Sequence, residues 1–251
     1  ASSVSADDID RQARELYKQG QFLAARLIWQ EQAQHYAEQQ NGLAQASVLS
    51  NLCLAYQQLG QWADAEIALS KSLHLLNSKG DTPAKLAAMA QALSASGSLN
   101  LAMGSPQTAL EDWRQAEAIY GRLGDQHGQT RSQINRAQAL RELGFYRQSL
   151  ALLSDTYDRT VLQPDAPFKN TVLLRLGDML RLSGQLEQSQ EVLMRSLTLA
   201  QHNNQPADLS ATLLQLGHLA IQQGDIAAAD DFYTQAKMQW TPDVQAASPE
   251  Q

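Results

Sequence analysis

Apolar side chains recur along this chain at i, i+3, i+4 and i+7, the spacing of one helix face. In the stretch 46–56, Leu49, Leu52, Cys53 and Tyr56 fall on such a face. Gly60 follows, a residue that ends a helix in the left-handed region at little cost. After Gln61 a second helical pattern starts, with Trp62, Ala65 and Leu69 expected to point inward. The pair reads as a helical hairpin over 43–78 around a short glycine-centred turn. Its small Ala65 lets the second helix approach the first opposite Cys53, while Tyr56 and Leu69 fill the space on either side.

The hairpin recurs. Turn glycines stand at Gly20, Gly60, Gly104, Gly144, Gly184 and Gly224, separated by 40, 44, 40, 40 and 40 residues. Seven residues before each stands a small residue (Ala13, Cys53, Gly97, Ala137, Gly177, Gly217), and five after it another (Ala25, Ala65, Ala109, Ser149, Ser189, Ala229). Nine after it stands a large apolar one: Trp29, Leu69, Trp113, Leu153, Leu193 and Tyr233. A fixed period of this kind marks a solenoid of supersecondary units, each packed only on its neighbours. The expected fold is all-α, a right-handed α-solenoid of six helix-turn-helix repeats over 6–40, 42–79, 84–124, 126–160, 166–203 and 206–240. These form one array across 1–240. Residues 241–251 lose the periodicity and read as a disordered tail or linker. First helices are expected near 6–19, 85–103, 127–143, 167–183 and 206–223, and second helices near 22–39, 106–123, 146–158, 186–202 and 226–239.

Composition narrows the function. With 43% apolar and 18% charged residues the chain has material for a continuous core. A formal net charge of -7 excludes non-specific nucleic acid as a partner, which needs a cationic face. No apolar run approaches the roughly 18 residues of a membrane span. Cys53 is the only cysteine, so no intrachain disulfide forms; in a small packing slot it reads as a buried inert thiol rather than a nucleophile, which would want a histidine as base. Cysteine scarcity suits a reducing, cytoplasmic compartment. The chain opens at Ala1 without a methionine, as a processed product does, so export after loss of a signal peptide is the alternative.

There is no GxGxxG, phosphate-binding loop, HExxH or CxxC, and the five histidines are scattered without a metal-binding pair. Asp7, Asp8 and Asp10 read as an acidic first turn that complements a helix dipole rather than as a metal site. Trp29, Trp62 and Trp113 are expected in core slots. No catalytic residue, cofactor or metal is expected, and the chain is read as not being an enzyme.

The segment Asn51-Leu-Cys-Leu-Ala-Tyr-Gln-Gln-Leu-Gly60-Gln-Trp-Ala-Asp-Ala65 resembles the tetratricopeptide repeat, and the stretches ending at Gly184 and Gly224 are similar to it. The resemblance covers about residues 6–240. The family norm is 34 residues per repeat, so the 40-residue period looks like the longer-helix variety of kinesin light chains and of bacterial scaffold and regulatory proteins. The Gln-rich texture also resembles the amino-terminal arrays that precede caspase-like CHAT domains, although no such protease domain lies in these residues.

In such an array the first helix of each unit lines the inner groove, at positions 13, 10, 6, 3 and 2 residues before the turn glycine. Read onto this sequence, units two and three offer a neutral, polar surface that includes Gln57, Gln58, Ser98, Leu101 and Ala102. The carboxy-terminal half offers Arg131, Ile134, Gln138 and Arg141, then Leu174, Asp178 and Arg181, then Leu214, His218 and Ile221. These ten residues are the expected partner-binding groove, with Ile134, Leu174, Leu214 and Ile221 as exposed apolar anchors. Arg141 and Arg181 share a slot in consecutive units, about 10 Å apart by helix-packing geometry, where two guanidinium groups could hold carboxylates; the plainer reading is solvated surface charge. The slot eight before the glycine, apolar elsewhere, becomes Ser96 and Arg136, and Asn100 replaces an apolar residue four before Gly104. A polar group at a helix interface needs a partner, so Arg136 is expected to meet Glu111 or Asp112. A hinge between two half-arrays is the functional alternative.

The resemblance implies a non-catalytic, monomeric scaffold that holds a protein or peptide in its groove. The alternative is a regulatory or substrate-recruiting fragment of a larger signalling protein or caspase-like protease. A nucleic-acid-reading helical array fails on charge.

Overall fold

The computed structural model describes residues 6–77, 80–161 and 168–239. Among them lie twelve α-helices and no strand. They are α1 (Ala6–Lys18), α2 (Phe22–Glu38), α3 (Gly42–Gln58), α4 (Trp62–Leu76), α5 (Pro83–Ala102) and α6 (Pro106–Leu123). There follow α7 (Gln126–Glu142), α8 (Tyr146–Val161), α9 (Lys169–Leu182), α10 (Leu186–His202), α11 (Pro206–Gln223) and α12 (Ile226–Gln239). The tail expected at 241–251 lies outside the described residues.

The turns repeat one geometry. Gly60 sits at φ 70°, and the amide of Gln61 donates back to the Tyr56 carbonyl at 2.9 Å. The same backward bond joins Gln21 to Leu16, Ser105 to Asn100, Gln185 to Leu180 and Asp225 to Ala220, closing each helix end on itself. Between hairpins the left-handed position is taken by Gln40 (φ 55°) and Asn204 (φ 49°) as well as by Gly124, so not every turn carries a glycine signal.

The small and large slots meet across each crossing. A Cβ on Gly97 would stand 2.6 Å from the Trp113 ring, one on Gly177 2.5 Å from Leu193, and one on Gly217 2.4 Å from Tyr233. The knob nine residues after the turn therefore fills the hole seven residues before it. The small residue five after the turn lies beside the same hole, as the bond from Ser189 Oγ to the Gly177 carbonyl (2.8 Å) shows. Trp62 departs from expectation: it is 43% exposed. As the first residue of α4 it stands on the rim of the turn, ahead of the crossing, where Tyr146 and Ile226 of other hairpins are also exposed.

The described residues form two compact units divided between Leu143 and Gly144. In the first, each helix packs on the next, and α3 also packs on α5. In the second, α9 packs on α8, α10 and α11. Asp10, in the acidic first turn, does more than complement a dipole. It accepts from Arg14 Nε (2.6 Å), Trp29 Nε1 (2.9 Å) and Asn51 Nδ2 (3.4 Å), and Asn51 in turn accepts from Gln91 at 2.6 Å. This polar chain ties α1, α3 and α5 together.

Candidate partner-binding groove

The first unit holds a concavity of about 640 Å³. Gln57 and Gln58 of α3, Ser98, Leu101 and Ala102 of α5, and Asn135, Gln138 and Glu142 of α7 line it, beside Trp113 and Pro106. All of the α3, α5 and α7 residues except Asn135 occupy slots six, three or two before a turn glycine. The hollow exists because Ser98 and Ala102 are short where neighbouring helices carry glutamine and glutamate. That signal was present in the sequence, which pointed instead to the carboxy-terminal half.

Of the expected groove residues in this unit, Gln138 lines the hollow. Arg131 is exposed, with its guanidinium 5.9 Å from the Tyr120 ring centre and Nη2 donating to the Tyr120 hydroxyl at 3.3 Å. Arg141 pairs with its neighbour Glu142 at 2.8 Å. Ile134 corrects the expectation of an exposed anchor: it is 5% exposed. The equivalent residue of α3, Ser50, is also buried, bonded to Ser72 at 3.0 Å and to the Ala46 carbonyl at 3.2 Å. In α3 and α7 the slot ten before the glycine therefore looks into packed structure.

The polar substitutions in the middle of the unit are paired. Asp112 accepts from Ser96 (2.7 Å) and Asn100 (2.8 Å). Arg136 pairs with Glu117, which also accepts from Gln133 at 2.7 Å. The partner is thus an acid of the preceding helix, as expected, but neither Asp112, already engaged, nor Glu111, which bonds Arg114 and Gln115.

In the second unit Leu174 is half-buried against Leu193, Leu216 and Leu219. Asp178 is buried and receives Arg181 Nη2 at 2.7 Å, the two side chains being 10% and 18% exposed. Arg181 Nη1 donates to Gln222 of α11 at 3.3 Å, and Gln222 returns a bond to the Arg181 carbonyl at 3.4 Å. Arg181 therefore fastens α9 to α11. Leu214, His218 and Ile221 lie at i, i+4 and i+7 of α11 and are all exposed, the two aliphatic ones by 42% and 48%. His218 meets Tyr233 edge-on at 5.9 Å. Leu182 of α9 is exposed as well. The structure thus brings six of the expected residues together on α9 and α11, while Arg131, Ile134, Gln138 and Arg141 belong to α7 of the other unit.

Burial pushes the Cys53 thiol up to about 11, against a smaller downward effect of the bond from Gln57. Among the described residues no helix is long and apolar enough to cross a membrane.

Residues 169–237, the last two hairpins, match the family model described as Tetratricopeptide repeat. No curated protein matches the sequence. Among solved structures, BtubC (BKLC) from P. vanneervenii is 19% identical with a TM-score of 0.69, over 99% of this chain and 98% of that one. A putative kinesin light chain from Podosopora anserina, with nearly identical TPR-like repeats, is 18% identical with a TM-score of 0.61, over 79% and 95%. The Rap conjugation gene regulator of the plasmid pLS20, in complex with the Phr* peptide, is 14% identical with a TM-score of 0.66, over 92% and 72%. The weaker likeness to arrays that precede CHAT domains gains no support from these. The repeat, its hairpin geometry and these neighbours agree: the chain is a tetratricopeptide-repeat α-solenoid of the long, 40-residue kind.

Proposed function

We propose that residues 1–240 act as one non-catalytic, monomeric scaffold that binds a partner protein or peptide along its first helices. The observation that carries the reading is the solvent-facing stripe Leu214–His218–Ile221 on α11, a helix whose other large apolar residues Leu213, Leu216 and Leu219 are buried. Apolar side chains left on a face with a fixed polar neighbour, here the Asp178–Arg181 pair, are the composition of an interface anchor. The Phr* peptide bound by the pLS20 regulator supports a peptide as occupant. Leu174, Arg131, Gln138 and Arg141 complete the proposed surface as flanking contacts, and buried Ile134 supports it from behind. A cytoplasmic setting suits the single buried cysteine.

The test is affinity capture of a partner on the intact chain, followed by direct titration. The double variant Leu214→Ser, Ile221→Ser is expected to weaken binding by about 1–4 kcal/mol with an unchanged melting temperature. Equal binding by parent and variant would reject this surface.

A further inference from the structure

Charge is partitioned between the two helices of the hairpins. The chain as a whole carries -7. Yet α9 and α11 hold Lys169, Arg175 and Arg181 against Asp178 and Asp208, one cation in excess. The second helices α10 and α12 each hold one acid in excess, and α8 is balanced. The first unit, taken by itself, divides in the same sense. There α3, α5 and α7 together hold four cations against one acid, while α2, α4 and α6 each hold one acid in excess; α1 is the exception, one acid over. Buried Asp178 is already committed to Arg181, so it offers a cationic partner little.

Opposite charges meet across specific interfaces, and like charges suppress wrong partners. At physiological salt such fields act over only about 8 Å, so a segment lying on α9 and α11 is read by those helices and not by the acidic outer ones. We infer that the segment received on α9 and α11 is acidic, with carboxylates beside Arg175 and Lys169 and one or two large apolar residues on Leu214 and Ile221. This rests on the proposed binding surface and adds to it the sign of the partner's charge.

The test is selection from a random-peptide display library on the intact chain. Enriched peptides are expected to carry net negative charge with Leu, Ile, Phe or Trp. They should lose at least about tenfold in affinity on Lys169→Glu, Arg175→Glu, and on Leu214→Ser, Ile221→Ser, both checked for parent-like melting. Enriched peptides that are neutral or basic but still depend on Leu214 and Ile221 would overturn the charge inference and leave the surface standing. Peptides indifferent to Leu214 and Ile221, or no enrichment at all, would overturn both.

Discussion

Gly177 lacks a side chain because Leu193 occupies the space one would take, 2.5 Å from where its Cβ would stand. Gly177→Ala is therefore expected to cost about 1–3 kcal/mol by overpacking. Pairing it with Leu193→Ala should recover part of that loss, so a thermal-melt double-mutant cycle ought to show coupling. Strict additivity would mean that the two slots do not touch. The size pattern around each turn was legible in the sequence. Which large residue fills which hole was not, because the partner lies across a crossing whose angle no single helix encodes.

Cys53 makes a second residue-scale prediction. Its thiol is raised by burial to about 11, above the 9.0 of an ordinary one, so the folded state holds the proton more tightly than the unfolded state does. The stability from this site is complete below about pH 9 and declines as pH rises towards 11. A thiol reagent at pH 8 should leave the folded chain unmodified and label it fully after denaturation. Rapid labelling of folded protein would contradict the burial.

At the scale of elements, the polar layer between α5 and α6 is held by one carboxylate. Asp112→Ala leaves Ser96 and Asn100 without their acceptor, at an expected cost of about 1–3 kcal/mol. Restoring apolar residues at all three positions, as other hairpins have, should be close to neutral or stabilising. Chemical denaturation of both variants measures this, and a harmless Asp112→Ala would show the network to be idle. Helix order and ends were readable from glycine spacing and apolar period. Trp62 and Ile134 were misread for one reason: a slot's exposure depends on what the adjoining hairpin or turn covers, and both sit where local periodicity ends.

For the whole molecule, the repeat made the fold class legible, and the groove slots landed on one surface in each unit. The sequence reading placed the anchors in the carboxy-terminal half, and Leu214 and Ile221 do stand free there. It overlooked the hollow around Ser98 and Ala102, since cavities arise from missing volume that no motif marks. The binding account is tested most directly by hydrogen–deuterium exchange of the intact chain with and without its captured partner. It predicts slower exchange in α9 and α11, with α10 and α12 unchanged. Protection confined to α10 and α12 would contradict it.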